Sequence, residues 1–166
     1  MKKVILIIVT FLITGYIQGQ DLPIDEKTGE ITYSEIKQID SLTKSELYTK
    51  TLEWFAYKFA SSKDVIQLKD DVKMKVIGKG SFGINYYTRN PNINFTISVF
   101  LKDNRYKIII TDLKYSDNQG EEFLVDNFPK SWAGKKKLYR AVDAQVKLIL
   151  ADFYNYMKTQ NEEEDW

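Results

Sequence analysis

Gly78-Lys79-Gly80-Ser81-Phe82-Gly83 fits the G-x-G-x-x-G pattern, in which glycines let backbone amides approach the phosphates of a nucleotide. Used as in a protein kinase, such a loop needs an H-R-D aspartate and a D-F-G metal ligand elsewhere in the chain. The chain has no His and no D-F-G. A dinucleotide site would need a helix opening straight after the last glycine, and Ile84 to Thr88 carries no helical pattern. These glycines are therefore read as permitting a bulge or tight turn at a strand end.

With no His and no Cys there is no thiol nucleophile, no imidazole base and no zinc site of the usual nitrogen and sulfur kind. Carboxylate pairs remain: Asp70 with Asp71, Glu121 with Glu122, and the run Glu162 to Asp165. Glycosidase or calcium chemistry would draw on such groups, but these stand in turns and a tail, where solvated acids are ordinary. Asp117-Asn118-Gln119-Gly120 departs from the spacing of an EF-hand loop. Asn94-Phe95-Thr96 fits a glycosylation sequon, yet it falls inside a strand pattern. Lys135-Lys136-Lys137 is too short for a nucleic-acid patch and reads as solvated loop. No catalytic residue, metal ligand or cofactor is assigned.

The elements that would position these residues read as a mixed α and β chain. Ile31, Tyr33, Ile36 and Ile39 permit a first strand whose alternation shifts phase in the middle, as at a bulge. Thr43 followed by Glu46 fits a capping box and opens a helix from Lys44 to about Ala60. Its apolar stripe is Tyr48, Leu52, Phe55 and Phe59, flanked by Leu47 and Trp54, with Lys50 and Lys58 outside it. Val65 to Lys69 and a strand through Val72, Met74 and Val76 form a hairpin about Asp70-Asp71. Gly78 to Arg89 is ambiguous.

The clearest pattern follows. Ile93, Phe95, Ile97, Val99 and Leu101 alternate with Asn94, Thr96, Ser98, Phe100 and Lys102. A two-residue turn at Asp103-Asn104 folds Arg105 to Tyr115 back on them, with Leu101 opposite Tyr106, Val99 opposite Ile108 and Ile97 opposite Ile110. A slip of one residue would mix apolar and polar faces, so the register is fixed. The opposite, non-core face then carries Phe100, Ile109 and Leu113, a candidate contact patch. Residues 116–137 read as a long polar loop. A last helix from about Leu138 to Lys158 places Val142, Val146, Ile149, Leu150, Phe153 and Met157 on one stripe, and Asn161 to Trp166 reads as a frayed acidic tail.

The start of the chain has the form of a cleavable signal peptide. Lys2 and Lys3 precede Val4 to Ile13, an apolar run broken by Thr10 alone, with Gly15 and Gly19 beyond. The run is too short to span a membrane, which takes about 20 apolar residues. Residues 1–19 are thus a signal, and 20–166 one domain with no membrane anchor after cleavage. Removing Lys2 and Lys3 takes the formal charge from +1 to −1, which gives no bulk attraction for nucleic acid or anionic lipid. An exported chain without Cys has no disulfide, so its stability rests on a core, which this length can supply.

Three segments carry a resemblance: Leu22-Pro23-Ile24-Asp25 with Thr28-Gly29, Ser45-Glu46-Leu47-Tyr48 with Trp54, and Phe100 to Lys107. From about Leu22 to Asp112 the chain resembles a family of exported bacterial proteins catalogued as a domain of unknown function with a TBP-like fold. It departs at Asn104, where glycine is expected more often, although Asn tolerates the positive φ of such a turn. The resemblance implies an α+β domain, a curved antiparallel β-sheet with two helices packed on one face, and it implies no activity. DNA binding by TBP rests on a basic surface, apolar wedges and a repeated half, and a shared fold is not a shared function.

The sequence thus leads to an exported, periplasmic or extracellular, non-catalytic binding or accessory domain. Its expected partner is a protein or glycan of the cell envelope, not nucleic acid. The alternative is a carboxylate-dependent enzyme acting on envelope glycans.

Overall fold

A computed structural model describes residues 22–59, 65–88, 90–128 and 134–159. Residues 1–19, read above as a signal, Trp132 and the acidic tail lie outside the described residues. The strands are β1 (Tyr33–Gln38), β2 (Ile66–Asp70), β3 (Lys75–Gly83), β4 (Asn92–Lys102), β5 (Arg105–Ser116) and β6 (Glu122–Leu124), and the helices are α1 (Lys44–Lys58) and α2 (Lys135–Lys158). One antiparallel sheet has the order β1-β5-β4-β3-β2, with β6 on the free stretch of β5.

The β4–β5 hairpin has the register that its alternation dictates, Leu101 to Tyr106, Val99 to Ile108 and Ile97 to Ile110. These side chains, with Ile93 and Phe95, are buried under the helices. Asn104 supplies the left-handed conformation of the turn at φ +60. The turn is tied to the start of α1: Asp103 Oδ1 accepts from the Lys44 amide at 2.8 Å, and the Asn104 amide donates to the Leu42 carbonyl. Thr43 and Glu46 form the expected capping box.

Both helices cover the same face. Phe55 of α1 lies over β3, and α2 crosses β1 and β5. There Phe153 packs edge-on against Tyr106 at 4.9 Å and Asp143 accepts from Tyr33 Oη at 3.2 Å. Between the helices Trp54 is edge-on to Phe153 at 4.9 Å, while its Nε1 donates to Asp152 Oδ2 at 2.8 Å. The α2 stripe from Val142 to Met157 is buried as expected.

The structure departs from the sequence reading in several places. The buried side of α1 is Leu47, Lys50, Thr51, Trp54 and Phe55, with Tyr48, Leu52 and Phe59 on its margin. Lys50 is inside because the end of α2 covers it: its Nζ donates to the Thr159 carbonyl at 2.8 Å and lies 5.7 Å from the Tyr156 ring centroid. The phase shift in β1 is not a bulge, since pairing with β5 runs unbroken from Tyr33 to Gln38 and Ile36 points away from the helices.

Val72 is 87% exposed in a turn that ends at Met74 (φ +50), and Asp70 Oδ1 accepts from the Lys73 amide at 2.8 Å. Consequently β3 starts at Lys75 and absorbs the glycine string. Its glycines sit within a regular ladder to β4, from Gly78 opposite Ile97 to Gly83 opposite Asn92. Gly78 and Gly80 serve close packing under the rings of Phe55, Phe59 and Phe95, while on the other side of β3 the pairing with β2 shifts between Ile66 and Leu68, opposite Gly78 and Ile77, an irregularity of the expected kind. Lys135 to Lys137 form the first turn of α2, with Lys135 Nζ 4.9 Å from the Tyr139 ring centroid and Lys137 Nζ 4.1 Å from that of Tyr87. The segment after β5 contains β6 and a 3₁₀ turn, held by Phe123 stacked on Tyr115 at 4.6 Å.

Candidate functional site

The face of the sheet turned away from the helices is built mainly by the even-numbered residues of β4 and their partners. Two rows run across it. In one, Ile36, Lys107, Phe100 and Lys75 are successive neighbours on β1, β5, β4 and β3. In the other, Ser34, Ile109, Ser98, Ile77 and Leu68 cross all five strands. Ile36 is 67% exposed and Leu68 41%. Phe100 and Ile109 are half-buried by their strand neighbours, and Lys75 Nζ stands 4.9 Å from the centre of the Phe100 ring.

Ile36, Phe100 and Ile109 line a hollow of about 440 Å³ whose rim is Lys102, Arg105 and Lys107. Lys102 and Arg105 face each other directly across the hairpin, a like-charge arrangement that disfavours the pairing. Among the described residues none of these three cations forms an ion pair, whereas the nearby Lys73 has a carboxylate partner. The chain as a whole is near neutral, so this end of the open face concentrates positive charge next to apolar surface.

Phe100 and Ile109 occupy the face that the alternation assigned to them. Leu113 does not. It is 2% exposed and part of the core. On β5 two residues, Asp112 and Leu113, oppose Phe95 alone, because pairing shifts between Asn94–Lys114 and Thr96–Thr111. Asp112 adopts φ +55, the left-handed geometry of a bulge residue. Beyond it the inward parity changes from Tyr106, Ile108 and Ile110 to Leu113 and Tyr115. Strict alternation along β5 misses this inversion, and an Asp between Ile110 and Leu113 is its one local signal. Ile36 lies on the open face although its apolar type alone points to the core.

Near the bulge, a hollow of about 510 Å³ with both polar and apolar walls includes Phe59 of α1 and Phe95 together with Lys79, Thr96, Asp112 and Glu122. Asp112 accepts from Thr96 Oγ1 at 3.5 Å and pairs with Lys114 at 3.6 Å. Among the described residues no three acids converge as metal ligands.

Beneath the sheet, two tyrosines are buried differently. Tyr33 Oη donates to Asp143, whose other oxygen accepts from Lys147 Nζ at 2.7 Å. Burial first, and then the Asp143 charge, pushes the Tyr33 hydroxyl far above its ordinary value. Tyr106 is 1% exposed, its hydroxyl has no hydrogen-bond partner among the described residues, and burial likewise raises it.

One antiparallel sheet with two helices on a single face and an open face opposite defines an α+β domain of the TBP-like kind. The chain belongs to the family described as "Domain of unknown function (DUF4468) with TBP-like fold", whose model matches residues 33–116. That span starts at β1 and ends at β5, so it contains the hairpin and the bulge.

Two crystal structures have the same fold. A TBP-like protein from Parabacteroides distasonis ATCC 8503 is 16% identical with a TM-score of 0.72, over 84% of this chain and 98% of that one. A DUF4468 family protein from Bacteroides ovatus ATCC 8483 is 16% identical with a TM-score of 0.70, over 84% and 93%. No curated protein matches the chain.

Proposed function

We propose that this is an exported, non-catalytic binding or accessory domain of the bacterial cell envelope, and that its helix-free sheet face holds an acidic, apolar segment of an envelope protein. The observation that carries this reading is the hollow lined by Ile36, Phe100 and Ile109 and rimmed by Lys102, Arg105 and Lys107. Exposed apolar side chains beside unneutralised like charges cost stability, and departures of that kind from local preference tend to mark sites of function. A partner with acidic and apolar groups would relieve both. Export rests on the basic and apolar start of the chain. Among the described residues no helix is long and apolar enough to cross a membrane.

The test is crosslinking with mass spectrometry in the native envelope, comparing the wild type with Ile36→Ser/Phe100→Ser. The expected result is loss of a defined crosslinked protein while the variant remains folded by circular dichroism. An unchanged set of partners, or an acidic glycan in their place, would reject the protein-binding face. Fractionation of a chain lacking residues 2–19 tests export, with retention in the cytoplasm expected.

A second reading, a carboxylate-dependent enzyme acting on envelope glycans, draws on the hollow that holds Asp112 and Glu122. It predicts that purified protein releases soluble fragments from envelope glycan and that Asp112→Asn or Glu122→Gln abolishes release. Absence of release by the wild type would remove it.

A further inference from the structure

The contact surface continues past the apolar hollow. A second hollow of about 530 Å³ runs from Lys102 and Arg105 around the tip of the β4–β5 hairpin to Lys44 of α1 and Lys73 before β3. Lys102 and Arg105 line both hollows, so an apolar and a cationic compartment share one wall. We propose that the second hollow is the anion half of the contact site, and that the two halves select an extended partner segment by spacing. One apolar side chain lies over Ile36 and Phe100, and acids stand two and four residues away along the segment. This inference deepens the reading of the helix-free face as the contact surface and rests on it.

Charge is the first support. Lys44, Lys73, Lys102 and Arg105 line the second hollow, against one carboxylate among its lining residues, Asp103. An oxygen of that carboxylate already accepts from the Lys44 amide at 2.8 Å, and Lys73 has Asp70 at 4.0 Å. Among the described residues Lys44, Lys102 and Arg105 form no ion pair. The hairpin register holds Lys102 and Arg105 opposite each other, so their repulsion is built into the fold and an acid brought from outside relieves it.

Spacing is the second support. Lys102 follows Phe100 by two residues on β4, and Arg105 precedes Lys107 by two on β5. At about 3.4 Å per residue the cation pair therefore stands about 7 Å from the apolar row. An extended segment repeats its same-side side chains at the same interval of about 7 Å. Laid along β4 with an apolar residue over Phe100, it brings the acid two residues away beside Lys102 and Arg105. The acid four residues away, about 14 Å along, lies beyond the turn, where Lys44 and Lys73 stand. Acids one and three residues away point off the sheet.

Labelled synthetic peptides test this on the full chain by fluorescence anisotropy. In the first, a phenylalanine among serines has glutamates two and four residues away. In a second of the same composition they stand one and three residues away, and in a third four and seven, on one face of a helix. Each is made in both chain directions. The first, in its better direction, should bind at least tenfold more tightly than either other arrangement. In 1 M salt, where the screening length falls to about 3 Å, its binding should weaken several-fold.

Lys102→Gln/Arg105→Gln should lose at least tenfold in affinity for the first peptide and most of the preference for it. Lys136→Gln/Arg140→Gln, which removes the same charge from exposed positions on α2, should leave the affinities within twofold. Replacing the farther glutamate by glutamine should weaken binding to the wild type several-fold and make no difference to Lys44→Gln/Lys73→Gln. Circular dichroism checks the fold of each variant.

Equal affinity for the first two peptides, tighter binding of the helical arrangement, no saturable binding of any peptide, or an equal loss in Lys136→Gln/Arg140→Gln would overturn the proposal. If the peptides fail but Ile36→Ser/Phe100→Ser still loses its envelope partner, the contact face stands and the spacing rule alone is rejected. If the first peptide binds as expected and no envelope partner depends on the face, the site stands and the partner reading is rejected.

Discussion

A Cβ on Gly78 would lie 2.5 Å from Cε1 of Phe55, so the ring of the first helix occupies the space where a side chain on the third strand would begin. Gly80 is in the same position beneath Phe59 and Phe95. The string that resembles a nucleotide loop is therefore the seat of α1 on the sheet.

Gly78→Ala should destabilise the domain by about 1–3 kcal/mol, the range for forcing extra volume into a packed core, although Ala normally gains over Gly within a strand. Urea denaturation measures the difference. An equal or higher midpoint would show that Phe55 can move aside.

The bulge at Asp112 makes neighbouring leucine and isoleucine unequal. Leu113→Ser should cost at least the roughly 2–5 kcal/mol of a buried Leu truncation, and Ile109→Ser much less. Asp112→Val should cost about 1–2 kcal/mol, because a side chain in the left-handed region carries that penalty, while Asp112→Gly should not destabilise. Similar losses for Leu113→Ser and Ile109→Ser would contradict the inverted parity.

The two buried tyrosines should respond oppositely to losing their hydroxyls. Tyr33→Phe deprives Asp143 of a donor and should cost about 1–2 kcal/mol, whereas Tyr106→Phe removes a buried unsatisfied group and should be neutral or stabilising. Thermal melts of the two variants decide this.

Both hydroxyls are raised in the fold by burial, so the folded state favours the protonated form. Their contribution is complete below the ordinary tyrosine value of about 10 and declines as pH rises above it, when the unfolded chain ionises first. The urea midpoint should fall from pH 9 to 11.5, and the fall should be shallower in Tyr33→Phe/Tyr106→Phe. A parallel decline in both proteins would assign the alkaline loss to other groups.

Basic residues on an open TBP-like face invite comparison with nucleic-acid binding, for which the predicted outcome is negative. The protein should elute from immobilised duplex DNA at about 0.15 M salt. Retention with a steep inverse dependence on salt would replace the acidic-peptide reading.

How much was legible from sequence depends on the range of the interaction. Alternation from Ile93 to Leu101 fixed the hairpin register, because a one-residue slip exposes every apolar side chain. The capping box of Thr43 and Glu46 and the α2 stripe were equally readable, since their partners lie within a few residues. Through the same hairpin the sequence placed Phe100 and Ile109 on the open face. It determined, too, that thiol and imidazole chemistry are absent.

What tertiary structure decided were features set by partners far along the chain. Lys50 is internal because Thr159 and Tyr156 reach it, and the glycine string is strand because Phe55 and Phe59 press on it. Leu113 is core because one left-handed residue, Asp112, inverts the strand after it. The hollow combines Ile36 of β1 with Phe100 of β4. Periodicity could not bring these together, because it reports which side of its own strand a residue takes but not which strands become neighbours.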